Sequence, residues 1–242
     1  MRRFLSAVFV VVMSAIAMGQ GTPQPKGLDT AAIDRAIGRS GQAMPGDVYR
    51  VSFPRSDMNV TVGSVKVRPG LALGGWAAFK ANGDKAVAHG DLVLAESEVN
   101  AVISALQQHN FDITALHNHL LNTSMPVWYL HFWGEGAAPD LAAAVKDAIS
   151  RTKAPAPAPA GTAAVADDLP ADELQQAVGL RGTVTNGVLA LSQPRPEQIQ
   201  MMGVTLPPSM SPFESRQLSI HPRPHWTPNR NACEPVMYDE AP

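Results

Sequence analysis

Between residues 86 and 149 the hydrophobic period of the chain alternates between two and 3.6, and the order of those switches limits the folds open to it. Residues 86–94 read as a strand. Ser97 is placed to cap a helix, with Glu98 in its first turn and Val99, Val102, Ile103 and Leu106 at helical spacing as far as Gln108. Asn110 ends that helix, residues 111–120 form a strand, Asn122-Thr123-Ser124 turns, and residues 127–133 form the next strand. Residues 134–139 read as a loop, after which Asp140 caps a helix carrying Leu141, Ala144, Val145, Ala148 and Ile149. Strand, helix, strand, strand, helix is the order of an α+β fold. It predicts a split βαβ-type (ferredoxin-like) sheet with helices on one face.

Upstream, residues 29–39 predict a short helix, with Asp29 or Thr30 as its cap and Ile33, Ala36 and Ile37 on its apolar face. From residue 48 to 79 the pattern is one of short strands, and Asn82-Gly83-Asp84 is a turn. Residues 154–161 alternate Ala and Pro, a stiff spacer that builds no core. Beyond it the chain echoes itself. Residues 33–41 (IDRAIGRSG) resemble 174–182 (LQQAVGLRG), and residues 48–55 (VYRVSFPR) resemble 188–195 (VLALSQPR). The echo stops near Met210. The expected organisation is therefore duplicated, with the second copy incomplete. It comprises a first repeat at 29–152, an Ala/Pro linker at 153–171, a partial second repeat at 172–210, and a disordered or out-of-frame tail at 211–242.

Residues 1–19 carry Arg2 and Arg3, an apolar run and then small residues, the pattern of a cleavable export signal. A secreted or periplasmic protein is expected, with no transmembrane span once the signal is removed. Cys233 is the only cysteine, so neither an internal disulfide nor a lipid-attachment box is available. A formal net charge of −2 gives no reason to expect a nucleic-acid partner. Sheet edges left open by the missing half-repeat predict self-association.

The chemistry concentrates in Ala115-Leu116-His117-Asn118-His119-Leu120 and in Tyr129-Leu130-His131. In a strand His117 and His119 share a face, as do Ile113 and Ala115, and His131 on the next strand can stand across from them. Three imidazoles on one sheet face suit a divalent transition metal such as zinc, with a position left for water or substrate. Asp91 is the expected acidic partner. The competing reading is a non-catalytic envelope module whose histidines are structural. His89 belongs either to the site or to the surface. Glu96 and Glu98 serve a helix N-terminus, and Arg55 with Asp57 reads as an ion-paired turn. A small envelope or periplasmic molecule is the expected partner, and no sequence feature identifies it.

These residues also carry a resemblance. His89-Gly90-Asp91-Leu92-Val93-Leu94, Glu98-Val99-Asn100, residues 113–120 and Tyr129-Leu130-His131 resemble the LppY/LpqO-type lipoprotein family of bacterial envelopes, as do Pro54-Arg55-Ser56-Asp57 and residues 74–79. The resemblance implies export and a two-repeat build, and supplies neither an activity nor catalytic residues. Two departures stand out: the lipid-attachment cysteine implied by the name is absent, and the second repeat is incomplete.

Overall fold

Asp29 accepts a hydrogen bond from the Ala32 amide and so opens α1 (Thr30–Ile37), which turns out of its last turn on Gly38 at φ 81°. The computed structural model describes residues 24–156, 169–194, 197–210 and 215–220. The predicted export signal, residues 157–168 of the linker, and residues 211–214 and 221–242 of the tail lie outside the described residues. After α1 come β1 (Gln42–Met44), β2 (Val48–Pro54), the small hairpin β3 (Thr61–Val62) and β4 (Val65–Lys66), a single turn α2 (Pro69–Ala72), and the long strands β5 (Gly74–Asn82) and β6 (Lys85–Ala95). A 3-10 turn (Glu96–Glu98) leads into α3 (Val99–Gln108), β7 (Asp112–His117), β8 (Val127–Gly136) and α4 (Ala138–Ser150).

The main sheet runs β1-β2-β5-β6-β8-β7, every neighbouring pair antiparallel. Strands β6 and β7 are thus parallel to each other with β8 between them, which is the predicted split βαβ unit. It departs from a full ferredoxin-like sheet on the outer side of β6. There β5 takes the place that a strand following α4 would hold.

Alternation divides the sheet into two faces. One carries Tyr49, Val51, Phe53, Ala77, Phe79, Leu92, Leu94, Leu130 and Phe132, packed against Ile33 and Ile37 of α1, Val102 and Leu106 of α3, and Leu141 and Val145 of α4. This is the main core and the helix-covered face. Each large side chain buried there contributes roughly 1.5–3 kcal/mol. The other face has no long helix over it. Two smaller apolar clusters flank its centre. Leu73, Val93, Leu120 and Tyr129 lie in one, and Val48, Trp76, Val87 and Trp133 with Leu206 and Met210 in the other.

Several boundaries differ from the sequence reading: Ser97 does not cap α3 but lies inside the 3-10 turn, and Glu98 holds the cap position. Strand β8 continues to Gly136 because the ladder with β6 does not end until Ala86 pairs with Gly136. Helix α4 starts earlier, with Ala137 at its cap and Asp140 inside the first turn. Strand β7 stops at His117, three residues before the predicted end.

Arg55 and Asp57 do form a turn, but their network reaches further. Arg55 donates bidentately to Asp57 and to Glu98, and also to the Val93 carbonyl at 2.7 Å. Glu98 in turn accepts from the Ala95 and Lys153 amides. Burial pushes the Glu98 carboxyl up, but Arg55 and those amides outweigh it and hold the pKa below its usual value. The network ties the end of β2 to β6, the 3-10 turn and the chain leaving α4.

The second unit holds α5 (Ala171–Val178), β9 (Gly182–Thr185), β10 (Val188–Pro194), β11 (Ile199–Met201) and β12 (Val204–Leu206). Its order follows that of α1 to β4. Gly179 ends α5 in the left-handed region as Gly38 ends α1, and Met202-Gly203 turns between β11 and β12 as Gly63 lies between β3 and β4. Within the segment read as a tail, β13 (Ser215–Ile220) pairs with β10 from Leu189↔Ile220 to Pro194↔Ser215. That matches the way β5 pairs with β2 from Tyr49↔Phe79 to Pro54↔Gly74, about 140 residues earlier.

Gly90 sits on the helix-covered face between Ala77 and Phe132, and a Cβ there would collide with the Phe132 ring and come within 2.5 Å of the Trp76 carbonyl oxygen. Gly90→Ala is expected to cost about 1–3 kcal/mol in urea denaturation, an overpacking penalty. Gly74→Ala, whose Cβ meets nothing nearer than 3.9 Å, is expected to stay within about 0.5 kcal/mol of wild type. Equal melts for the two variants would refute this packing of β6 on β8.

Candidate metal centre

The ladder between β6 and β8 sets Asp91 directly across from His131 on the face without long helices. Trp76 extends that row on β5, and Ala115 extends it on β7. His89 and Trp133 form the adjacent pair on the same face. The Asp91 Oδ1 and His131 Nε2 atoms are 3.8 Å apart.

His117 reaches this face through an irregularity in β7. The register with β8 shifts between Ile113, which pairs with Phe132, and Ala115, which pairs with His131. Thr114 is the extra residue of a bulge. Simple alternation puts Ile113, Ala115 and His117 on one face, but the bulge separates them. Ile113 packs against the helix-covered core, while Ala115 and His117 share the face of His131. The expectation that Ile113 shares the histidine face is corrected accordingly. An unbulged strand in the Ile113 register would have turned His117 toward the helices.

His119 arrives by a different route from the one its spacing suggests. It follows the end of β7, so strand alternation does not place it. The loop is anchored by Asn118, whose Nδ2 donates to the Val127 carbonyl at 2.8 Å, and by Leu120, buried in the cluster beside Tyr129. The His119 ring lies over Tyr129 with centroids 3.9 Å apart, and its Nε2 is 2.7 Å from His117 Nε2. His117 and His131 have centroids 4.9 Å apart. One nitrogen from each of His117, His119 and His131 falls within 4.8 Å of the other two.

Burial pushes the His131 pKa down to about 3, helped by the positive charge that His117, His89 and His119 would carry. Burial, then His117, brings His119 down to about 4. Both rings are neutral at pH 7, the state in which imidazole binds metal. His89 is fully buried rather than on the surface. Its Nδ1–H donates to the Phe132 carbonyl at 2.9 Å, and burial lowers its pKa. Its ring centroid is 6.1 Å from that of His131, alongside the triad and outside it.

Asp91 is therefore adjacent to the histidines, whereas Glu98 is spent on Arg55. Trp76 packs edge-on against His89 at 5.6 Å, Trp133 lies beside it, and Trp128 belongs to the helix-covered side. The sequence reading missed Tyr129 as a participant. It supports His119 with its ring and donates its hydroxyl hydrogen to the Ala72 carbonyl. Its place in the alternation beside His131 was the available signal.

The depressed histidines fix a pH dependence. A base whose folded pKa lies below its unfolded value near 6.5 costs stability once the pH drops below about 6.5, because the unfolded chain takes up protons that the folded chain refuses. In metal-free protein His131 alone is expected to remove about 2 kcal/mol between pH 7.5 and pH 5. Urea melts at the two pH values test this, with His131→Gln expected to lose less between them than wild type. Identical losses would overturn the assignment.

A family model described as Domain of Unknown Function (DUF1259) matches residues 31–151. No curated protein and no solved structure matches the chain. The match runs from α1 through α4 and contains every residue of the histidine cluster. Half of the chain lies inside it, and the chain belongs to this family of unknown function.

Proposed function

We propose that His117, His119 and His131 hold one divalent transition metal such as zinc, with Asp91 as a further ligand or as the group that orients His131. The centre would bind or hydrolyse a small molecule of the bacterial envelope or periplasm. One observation carries this reading: three imidazole nitrogens within 4.8 Å of one another. Zinc with Zn–N bonds of about 2.0–2.1 Å sets tetrahedral nitrogens roughly 3.4 Å apart. His117 and His119 need to separate by well under about 1 Å from their 2.7 Å contact to accept it. A metal on three protein ligands keeps a position for water and lowers the pKa of that water toward about 7.

The setting we infer is export, from the pattern of residues 1–19, in a relative of the LppY/LpqO-type envelope proteins. We also read the second unit as an incomplete copy of the first. The candidate site residues lie in the first unit alone. Among the described residues no helix is long and apolar enough to cross a membrane.

A second reading has its own support. The 2.7 Å contact between His117 and His119 lets one ring donate to the other, so the pair can serve as a structural clasp without an ion. The two readings separate in one experiment. Zinc added to metal-free protein is expected to bind with one-to-one stoichiometry by calorimetry. At a free concentration 100 times its Kd it stabilises by about 2.7 kcal/mol, roughly 5–10 °C in thermal midpoint. The His117→Ala/His119→Ala variant is expected to lose both effects. No uptake of zinc, nickel or copper by wild type, together with a lower melting temperature in the variant, would favour the clasp instead.

A further inference from the structure

Several arginines of this chain hydrogen-bond to identifiable acceptors. Arg55 engages Asp57 and Glu98, Arg39 the Ser52 carbonyl, Arg68 the Asn186 carbonyl, and Arg151 the Asp147 carboxylate. Arg50 behaves otherwise. Among the described residues it donates no hydrogen bond and closes no ion pair. It lies over the Trp76 ring, its Cζ 4.2 Å from the centroid, within the field of Asp91. Burial lowers its pKa, with the negative charge of Asp91 acting in the opposite direction. Arg50 is half-buried, and its five N–H donors form a fork shaped for a planar oxyanion.

Arg50 also lines a cavity of about 310 Å³, within the range of small-molecule sites. The lining follows the ladder. Three successive cross-strand pairs on the face without long helices form the groove: Gln42↔Arg50, Ser52↔Trp76 and Pro54↔Gly74. Gly74 supplies the space, because it contributes no side chain where the strand would otherwise raise one. Gln42 and Ser52 offer neutral polar groups, while Met44, Pro54 and Trp76 offer apolar walls.

We propose that this groove binds a small organic acid, its carboxylate held in the Arg50 fork and its apolar body against Met44, Pro54 and Trp76. A monoanion fits better than a phosphate dianion, since one guanidinium balances one charge and Asp91 adds a negative field from the neighbouring strand. The groove stands apart from the histidines, on β1, β2 and β5 rather than β7 and β8. Trp76 joins the two regions, paired across the ladder with Asp91 and packed on His89. An acid seated on Arg50 lies at the Asp91 end of the histidine cluster.

The test uses the full chain with benzoate as probe and benzamide as its uncharged isostere, read by ligand-observed saturation-transfer NMR and by calorimetry. Wild type is expected to bind benzoate, and to bind benzamide at least about tenfold more weakly, the loss of a charge-assisted pair. Arg50→Gln is expected to weaken benzoate by about tenfold or more. Gly74→Leu, which keeps Arg50 and fills the groove, is expected to abolish binding with an unchanged melting temperature, so the proposal stays testable if Arg50→Gln does not fold. Binding is expected to be the same in EDTA and in zinc. No benzoate binding to wild type, equal binding by either folded variant, or binding that requires zinc would each overturn the proposal. The last outcome would place the acid on the histidine centre.

Discussion

The unbroken antiparallel ladder from Ala86↔Gly136 to Ala95↔Val127 is the constraint on which the rest of the molecule hangs. It joins the N-terminal meander to the split βαβ unit and buries Leu92, Leu94, Leu130 and Phe132 under the helices. The same alternation leaves His89, Asp91 and His131 pointing the other way. A slip of one residue would put two histidines and a carboxylate into the helix-covered core and turn four large apolar side chains out of it. The apolar side of the sheet therefore enforces the register of the polar side. Packing energy on one face thus positions chemistry on the other.

That relation explains which parts of the structure were legible in the sequence. The α+β class, the strand-helix-strand-strand-helix order and the cap of α1 all follow from periods and caps, which are local signals. The meeting of His131 with Asp91 is legible once β6 and β8 pair, because both residues sit at odd steps from large apolar neighbours. The route of His117 is not. Its face depends on the bulge at Thr114, and Ile113-Thr114-Ala115 carries no composition that announces one. His119 was expected on the right face for the wrong reason: a loop pinned by Asn118 and Leu120 brings it there, not the pleat. Arg50 was passed over because an arginine on the polar side of a strand is ordinary. Only coordinates distinguish one that has no acceptor.

The two units share an order of elements and differ in their side chains. The second has a helix, hairpin and paired-strand order like that of the first, and β13 pairs with β10 in the register in which β5 pairs with β2, beyond the point where the sequence echo stops. Backbone pairing needs only an extended edge and matching register, whereas a site needs particular side chains. The histidine cluster, Asp91 and Arg50 all lie between β2 and β8.

Two arginines, one within β2 and one just past its end, sit in contrasting surroundings in this fold. Arg55 is 2 % exposed and fully matched by two carboxylates and a carbonyl, and its pKa is raised, because the ion pairs outweigh desolvation. Arg50 has the Trp76 face and the field of Asp91 but no ion pair among the described residues, and burial lowers its pKa. A purely structural role selects the first arrangement, in which every donor is satisfied within the chain. The second leaves a guanidinium stacked on Trp76 and lining a groove. Burial holds His131 and His119 uncharged at neutral pH.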